Sequence, residues 1–368
     1  MKIGICKEQE GENRVSLLPE TVAAFIKLNT EVLVETDAGE KAMAANADYE
    51  NAGAKIVSRN DLLSQADIIL SIQPIEEQVS NKILLGNFQA VSNIPLMEKW
   101  ASQQNTIFSL DNIPRTTRAQ SMDILSSQAN IAGYKAVLLA ANEYSRYFPM
   151  FMTAAGSIAP AKILILGAGV AGLQAIATAK RLGAIVEVFD TRPAVKEEVM
   201  SLGAKFVEVE GAADASAAGG YAVEQSEEYK QKQQQKIVES AAKADIIITT
   251  AQIPGRKAPI LITEEMFDKM RKGSVIIDLA SSSGGNTEHT KNNETVIYKG
   301  VKIIGNSNLA STMPSDASKL YGKNVFNFMK LIIDENGNLN LNYEDDLVEG
   351  TCICRDGSIT NARIKQLM

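Results

Sequence analysis

Four residues of this chain have the types and the spacing that a dinucleotide-binding turn requires. Gly167, Gly169 and Gly172 follow a short apolar run and open a helical pattern. The first glycine permits a tight bend, the second lets backbone approach a pyrophosphate, and the third lets the helix lie close to the strand. Asp190 lies 18 positions after Gly172 (190 − 172 = 18), and roughly 20 is typical of an acid that binds the adenine ribose hydroxyls. The spacing predicts a nucleotide site and favours NAD(H) over NADP(H), although Arg192 weakens that preference.

The segment from Lys162 to Asp190 also contains the elements that must position these residues. KILIL, residues 162–166, is typical of a strand buried on both faces of a parallel sheet. The helical pattern after the glycine turn ends near Gly183, where a C-cap glycine is expected, and residues 185–189 form a second apolar run. The N-terminus of that helix would offer N–H groups and a partial positive charge to phosphates. The alternative is a tight strand-to-helix turn that binds no ligand.

A second group of polar side chains lies on the loop PRTTRAQSMDILSS, residues 114–127. It offers a cation, an amide, a carboxylate and a hydroxyl, which could orient a carboxamide or a ribose without titrating. The four residues are Arg115, Gln120, Asp123 and Ser126. The alternative is a capping and salt-bridge network that starts the next helix, with Ser121 or Asp123 as the N-cap.

The composition of the chain is that of an ordinary globular protein. With 368 residues, 45% hydrophobic and 22% charged, the chain is long enough for two domains. A net charge of −7 gives no footprint for nucleic acid or for an anionic lipid surface. No apolar run approaches the roughly 20 residues that span a bilayer, and MKIGICKEQEGENR begins as a strand rather than as a secretion signal. We therefore expect a chain that is by itself cytoplasmic or internal to a compartment.

The chain has few residues that could bind zinc or transfer protons. Cys352 and Cys354 lie in the alternating segment TCICR, which predicts buried thiols on a strand rather than a metal site. The one histidine, His289, lies in the polar stretch GGNTEHTKNNE, where we expect a solvated surface imidazole. Oxidation of an alcohol or amine needs a positioned acid or base, whereas hydride exchange between two nicotinamides needs none. The sequence favours the second kind of reaction.

The order of apolar and helical patterns predicts an α/β fold with two Rossmann-like doubly wound domains, the second inserted into the first and joined to it by a long helix. The predicted bounds are residues 1–125 with 312–368 for the first domain, 126–147 for the linker helix, and 148–311 for the NAD(H)-binding domain. The predicted strands are residues 2–6, 30–35, 66–72, 89–93, 106–111, 205–209, 246–249, 275–278 and 301–304. The predicted helices of the first domain are residues 19–28, 48–52, 75–84 and 97–104, and a helix at 317–333 followed by alternating segments at 339–343 and 351–355 returns to it.

Residues 211–236, GAADASAAGGYAVEQSEEYKQKQQQK, are the least typical stretch. Small residues and a diglycine predict a mobile loop near 211–230, and the polar second half predicts a helix. One interpretation is a lid over the nucleotide, with Tyr221 as the side chain that contacts it. The alternative is a disordered surface loop.

Several long motifs in this order resemble the NAD(H)-binding alpha component of proton-translocating NAD(P) transhydrogenases. They are RTTRAQSMDILSSQANIAGYKAV, GAGVAGLQAIATAKRLGAIVEVFDTRP, AAGGYA, ITTAQIPGRKAPILIT, GSVIIDLASSSGGN and GTCICRDGSI. The resemblance implies direct hydride transfer between NADH on this chain and NADP⁺ on a partner component, coupled to proton movement. It also implies a homodimer, peripheral on the cytoplasmic side of the inner membrane and bound to membrane-spanning and NADP(H)-binding components.

The resemblance assigns roles to residues that match the motifs of the family. The implied catalytic residues are Arg115, Gln120, Asp123 and Ser126. The implied cofactor-binding residues are Arg115, Gln120, Leu125, Ser126, Ser127, Gly167, Ala168, Gly169, Val170, Gly172, Asp190, Thr191, Arg192, Gly220, Tyr221, Gln233 and Gln252. Gly220 and Tyr221 would belong to a loop that closes when nucleotide binds.

Alanine dehydrogenases share this architecture and are the main alternative. Arg14 in GENRVSLLP matches their substrate-carboxylate arginine, but Gln73 stands where they have the catalytic lysine. Their histidine is absent from VSNIPLMEKW, and Ser282 replaces the aspartate that precedes their diglycine. Ser282 also departs from the acidic residue usual in transhydrogenases. A third possibility is a catalytically silent protein that senses nucleotide.

Overall fold

The computed structural model describes residues 1–209, 211, 226–253 and 255–368. The strands, in chain order, are β1 Lys2–Ile5, β2 Glu31–Glu35, β3 Lys55–Val57, β4 Ile68–Leu70, β5 Ile83–Gly86, β6 Thr106–Ser109, β7 Phe151–Thr153, β8 Gly156–Ile158, β9 Lys162–Leu166, β10 Ile185–Phe189, β11 Lys205–Phe206, β12 Ile246–Thr249, β13 Val275–Asp278, β14 Glu294–Tyr298, β15 Val301–Gly305, β16 Cys352–Arg355 and β17 Ser358–Ile359. The α-helices are α1 Pro19–Ile26, α2 Asn46–Asn51, α3 Arg59–Gln65, α4 Ile94–Ser102, α5 Ile124–Glu143, α6 Val170–Arg181, α7 Lys196–Ser201, α8 Glu227–Ala241, α9 Glu264–Phe267, α10 Pro314–Met329, α11 Asp346–Thr351 and α12 Ala362–Lys365.

The chain divides into two compact units. Unit 1 comprises Met1–Gln128 and Ala310–Met368, and unit 2 comprises Ala129–Leu309. Unit 2 is therefore an insertion in the sequence of unit 1, and helix α5 contains the first of the two boundaries.

The sheet of unit 1 has the strand order β3-β2-β1-β4-β5-β6-β16-β17. Strands β1 to β6 are parallel, whereas β16 pairs antiparallel with β6 and with β17. Ile68 and Leu70 of β4 belong to one hydrophobic core, and Ile69 between them belongs to another. Both faces of the sheet are thus covered, and the strand order reverses direction between β1 and β4.

The sheet of unit 2 has the order β11-β10-β9-β12-β13-β15-β14. All its pairings are parallel except the antiparallel pairing of the edge strand β14 with β15. Ile246 and Ile248 of β12 contribute to one core and Ile247 to the opposite one, which explains the continuous isoleucine run. The order reverses between β9 and β12, and in such sheets ligands bind outside the carboxyl ends of the strands at this switch point. The predicted pair of doubly wound α/β domains is confirmed.

Two predicted elements of unit 1 are wrong. No helix forms at residues 75–84, and the fully buried strand β5 begins at Ile83. Ile75 and Val79 have the spacing of a helix, but each packs into a core from a segment that is not helical. No strand forms at residues 89–93, because Gln89 adopts φ +49° and its carbonyl accepts the N–H groups of Ser92 and Asn93 in a turn. In addition, residues 339–343 form no strand, and Leu339 makes a single bridge with Ile333.

The bounds of two further elements differ from the prediction. Helix α5 ends at Glu143 rather than at residue 147, because the chain turns there and packs Phe148 edge-on against Tyr144. Helix α8 begins at Glu227, inside the range 211–230 that was predicted as a mobile loop, with Ser226 as its N-cap. Within the described residues, no helix combines the length and the apolar character needed to cross a bilayer. The three thiols are buried, as predicted for Cys352 and Cys354.

Candidate functional site

The glycine turn of unit 2 lies at the switch point of its sheet. Strand β9 ends at Leu166, and Gly167 follows with φ +104°, a conformation that L side chains rarely adopt. The N–H of Gly167 donates to the carbonyl of Phe189 at 2.8 Å, and the Thr250 hydroxyl donates to the carbonyl of Gly167 at 3.1 Å. The turn is therefore held by the ends of the strands on both sides of β9.

Gly172 and Gly169 are glycines for different reasons. A Cβ at Gly172 would lie 1.9 Å from the carbonyl oxygen of Gly167, so a side chain there would push helix α6 off the strand. A Cβ at Gly169 would meet no described atom within 4 Å beyond its chain neighbours. The space in front of Gly169 is open, and helix α6 begins at the next residue, Val170. First-turn N–H groups without intrahelical partners beside an open backbone form an anion site of pyrophosphate type.

Asp190 directly follows β10 and ties this turn to the neighbouring strand. Its Oδ2 accepts the N–H of Ala168 at 2.7 Å, and its Oδ1 accepts the N–H of Arg192 at 2.8 Å, with Thr191 between them. The guanidinium of Arg192 donates to both oxygens of Asp190, from Nε at 2.9 Å and from Nη2 at 2.7 Å. This pairing raises the pKa of Arg192 above its ordinary value. Asp190 is thus a fixed, buried acid at the end of the second strand.

These features fit a dinucleotide on three independent counts. The open face of Gly169 admits a phosphate, the α6 N-terminus supplies donors, and Asp190 stands where the family of such folds holds the adenine ribose. A strand-to-helix turn without a ligand would require the close contact at Gly172 but not the open space at Gly169.

The loop SSSGGN after β13 forms a hydrogen-bond network at the strand ends, with residues that the sequence patterns did not single out. Asn286 is fully buried, donates to the carbonyls of Ala251 and Pro259 at 2.9 Å each, and accepts the N–H of Ala251 at 3.1 Å. Asp278 accepts the Asn286 N–H at 2.6 Å. Gln252, a predicted cofactor residue, is exposed and donates to Ser282 at 3.4 Å. The diglycine before Asn286 was the available signal for this strand-end network.

The second predicted group of residues lies in unit 1. Arg115 and Gln120 are exposed, and Asp123 and Ser126 are partly buried. Asp123 immediately precedes α5, and its Oδ1 accepts the N–H of Ser126 at 2.9 Å while its Oδ2 accepts the Ser126 hydroxyl at 2.6 Å. The predicted N-cap role of Asp123 is confirmed. Ser121 is not the cap, since it lies in the turn Thr117–Met122 before α5, where its carbonyl accepts the Asn324 amide at 2.8 Å.

The remaining predicted residues occupy different regions of the two units. Ser127 donates its hydroxyl to Asn324 at 2.7 Å, and Leu125 packs against the core of unit 1. Gln233 is a partly buried residue of α8 in unit 2. Gly220 and Tyr221 lie outside the described residues, as does most of the predicted loop. The structure thus brings the glycine turn, Asp190 and Arg192 together in unit 2, and groups Arg115 to Ser127 in unit 1.

Arg14, the arginine that matches alanine dehydrogenases, is hydrogen-bonded to side chains of this same chain. Its Nε and Nη2 donate to the carboxylate of Glu12 at 2.8 and 2.5 Å, and its Nη1 donates to Gln128 at 2.8 Å. Glu12 is buried, with 1% of its surface exposed. Each of the three guanidinium nitrogens thus donates to a protein acceptor, and Glu12 already occupies the fork formed by Nε and Nη2.

Glu8 occupies the switch point of the unit 1 sheet. Its carboxylate accepts the N–H groups of Ile72 and Gln73, which follow β4, at 2.6 and 3.1 Å. Burial raises the pKa of Glu8 to about 7, although these two hydrogen bonds act in the opposite direction. The Tyr321 hydroxyl nearby is buried and has no hydrogen-bond partner among the described residues. The sequence patterns did not reveal this cluster, because each residue is unremarkable by type.

His289 is not the solvated surface imidazole that was expected. Its Nε2 lies 2.6 Å from a carboxylate oxygen of Glu264, and its ring stacks on Tyr298 with centroids 3.7 Å apart. Phe267 packs edge-on against the same ring. The expectation failed because Phe267 and Glu264 lie more than 20 positions earlier in the sequence. His289 belongs to an ion-pair cluster at the β14 edge of the sheet.

Comparison with known proteins gives one consistent result. The family model described as alanine dehydrogenase/PNT, N-terminal domain, matches residues 4–132, and its C-terminal counterpart matches residues 136–362. The chain is 46% identical to the first portion of the NAD(P) transhydrogenase alpha subunit of Rhodospirillum rubrum, over 98% of each chain. It superposes on the crystal structure of a transhydrogenase from Sinorhizobium meliloti with a TM-score of 0.89 and 42% identity, covering 98% of this chain and 100% of that one. It is 28% identical to an alanine dehydrogenase of Staphylococcus epidermidis, over 85% of this chain and 82% of that one.

Proposed function

This chain belongs to the alanine dehydrogenase/PNT family, and we propose that within it the chain is the NAD(H)-binding alpha subunit of an NAD(P) transhydrogenase. The observation that carries the proposal is the similarity to the Rhodospirillum rubrum subunit over nearly the full length of both chains. The geometry of unit 2 supports it, since the glycine turn and Asp190 supply the groups that a dinucleotide site needs.

The glycine turn and Asp190 would hold the adenine half of NAD(H). Gly167, Gly169 and Val170 bring backbone and the α6 N-terminus against the pyrophosphate, and Asp190 accepts hydrogen bonds from the adenine ribose hydroxyls. Arg192 orients the Asp190 carboxylate by its two contacts.

Arg115, Gln120 and Ser126 would hold the nicotinamide end. When bound, the nicotinamide of NADH supplies the hydride that is transferred. Asp123 acts as a positioning residue, because both of its carboxylate oxygens bind Ser126 and so fix the direction of that hydroxyl. None of these groups needs to exchange a proton, which suits a reaction in which both partners are nicotinamides.

The second nucleotide, NADP(H), would lie on a partner component rather than on this chain. The Rhodospirillum rubrum relative is named as one portion of an alpha subunit, and this name supports the need for partner subunits. We propose that the chain is held at the membrane surface by a membrane-spanning partner, and that this partner couples hydride transfer to proton movement. The chain alone would then bind NADH without turning it over.

A homodimer is the expected assembly of the chain, and an exposed apolar patch on unit 2 supports it. The hairpin of β7 and β8 pairs with neither large sheet, and a two-stranded hairpin is marginal by itself. Met150, Phe151 and Met152 are 63%, 42% and 75% exposed there, beside Tyr147. Replacing Phe151 and Met152 with serine should convert a dimer to a monomer in sedimentation equilibrium. Met200→Ser, which removes a methionine that is also more than half exposed in the same unit, is the control.

The function is tested by reconstituting hydride transfer. The purified chain is mixed with an NADP(H)-binding transhydrogenase component, NADH and an NADP⁺ analogue, and transfer is followed by stopped-flow absorbance. Arg115→Ala should slow transfer, whereas Arg363→Ala, which removes an exposed cation of the same unit, should not. If the mixture binds NADH but transfers no hydride, the proposal is refuted. Reduction of NAD⁺ with L-alanine by the chain alone would establish the alanine dehydrogenase alternative.

A further inference from the structure

Asp190 and Arg192 form an ion pair at the end of β10, the position that distinguishes NAD from NADP in folds of this kind. Arg192 lies two residues after Asp190, and its guanidinium forks onto both carboxylate oxygens. In folds of this kind an acid at the end of the second strand binds the ribose of NAD, whereas a nearby arginine accommodates the 2′-phosphate of NADP. This chain carries both groups, bound to each other.

We propose that Arg192 is a latent receptor for a 2′-phosphate, and that Asp190 keeps the site specific for NAD(H) by sequestering this arginine as well as by repelling the phosphate. The inference rests on the proposed function, since it concerns the adenine end of the same nucleotide site. It assigns the rejection of NADP(H) to a pair of residues rather than to the acid alone.

The pair is rigid enough to act in this way. The Asp190 side chain is 5% exposed and that of Arg192 is 18% exposed, so water competes weakly for either partner. Asp190 is further fixed by the N–H groups of Ala168 and Arg192. The carboxylate therefore cannot rotate away without giving up backbone hydrogen bonds, and Arg192 stays in the fork.

The charge around the pair determines how the site responds when Asp190 is neutralised. Among the residues that the structure describes, Glu198 also acts on the Arg192 guanidinium, and it does so more weakly than Asp190. Without the Asp190 charge the guanidinium keeps its own charge and loses its strongest partner. A phosphate dianion at the ribose would then replace the carboxylate in the same bidentate geometry.

The experiment compares binding of NADH, NADPH, 5′-AMP and 2′-AMP to five forms of the chain, by isothermal titration. The forms are the wild type, Asp190→Asn, Asp190→Asn with Arg192→Ala, Arg192→Ala, and Arg181→Ala as a control that removes an exposed cation of the same unit. Asparagine keeps an oxygen for the Ala168 N–H, so the turn retains its contact.

Asp190→Asn should tighten NADPH and 2′-AMP binding by about tenfold or more, the size of a charge-assisted hydrogen-bond pair. The added Arg192→Ala should abolish that gain, whereas Arg181→Ala should leave every affinity at the wild-type value. Equal NADPH affinity of the single and double variants would overturn the proposal.

Arg192→Ala in the presence of Asp190 provides a second test that does not depend on the stability of Asp190→Asn. Arg192→Ala leaves the Asp190 charge without its cation, so this variant should bind 2′-AMP no more tightly than the wild type. Tighter binding of 2′-AMP would show that Arg192 opposes the phosphate and would also overturn the proposal. A wild type that fails to bind NADH would instead refute the proposed function.

Discussion

The switch points of the two sheets share one strand order but differ in what fills them. In unit 2 the loop after β9 is built of glycines, and the space in front of Gly169 is open. In unit 1 the loop after β1 carries Glu8, whose carboxylate accepts the N–H groups of the loop after β4. The chain's own carboxylate thus occupies these two backbone donors.

This difference shows that a switch point in a sheet does not by itself create a binding site. Two doubly wound sheets offer the same crevice, and side chains on the first loop decide whether it admits a ligand. In unit 1, Glu8 accepts backbone N–H groups and Glu12 pairs with Arg14, and both contacts stabilise the fold. In unit 2 the glycines leave the crevice open.

The largest effect on stability is expected from Arg14→Ala in the crevice of unit 1, which side chains fill and which we call the filled crevice. The variant leaves the Glu12 carboxylate buried without its cation, which costs about 3–5 kcal/mol. The single tryptophan, Trp100, is buried in unit 1, so its fluorescence during urea unfolding reports this loss. The double variant Glu12→Gln with Arg14→Met is the control and should recover most of the stability. A loss below about 1 kcal/mol would mean that the network is solvated.

Gly172→Ala should destabilise the open crevice by about 1–3 kcal/mol, because the new methyl group meets the Gly167 carbonyl. Hydrogen exchange of residues 162–181 should accelerate, since β9 and α6 must separate. Unchanged exchange in these residues would contradict the close packing of the helix on the strand.

Glu8 should make the stability of unit 1 depend on pH. Because its pKa is raised from 4.5 to about 7 in the native state, the folded chain binds more protons than the unfolded chain between these values. Stability is therefore highest below pH 4.5 with respect to this group and falls, by about 3 kcal/mol, as the pH rises to about 7.

The measurement is urea unfolding followed by Trp100 fluorescence at several pH values, with Glu8→Gln as the reference. The difference between the wild type and this variant isolates Glu8 from other titrating groups. A difference that stays constant from pH 4.5 to 7 would refute the raised pKa.

The smallest effect on stability is expected from Gly169→Ala. Its backbone, with φ −76°, suits alanine, and the added methyl group meets open space, so the cost is limited to about 0.5–1 kcal/mol at the N-cap. NADH affinity should nevertheless fall at least about tenfold, because backbone can no longer approach the pyrophosphate. Fluorescence titration with NADH checks this, and unchanged affinity would place the pyrophosphate elsewhere.

Sequence could predict the open crevice because its requirements are local. Gly167, Gly169 and Gly172 lie within six residues of one another, and Asp190 follows at a fixed interval. The doubly wound fold followed from buried strand runs such as KILIL and from the helical patterns between them.

The filled crevice was beyond the reach of sequence patterns because its partners are distant. Glu8 meets residues 64 and 65 positions away, and Arg14 meets Gln128. The same reason explains the misjudged His289, whose carboxylate partner lies 25 positions earlier. The turn at Gln89 was missed because a left-handed glutamine carries no signal in its residue type.

The insertion of unit 2 into unit 1 sets the order in which the two can fold during synthesis. The core of unit 1 includes Phe326, packed edge-on against Phe25 with centroids 4.9 Å apart, and Phe328, 5.5 Å from Phe108. Both belong to α10, which the ribosome makes only after all of unit 2. Strand β16, the antiparallel neighbour of β6, is made later still. Unit 2 can therefore fold while the first 128 residues still lack the chain segment that completes their core.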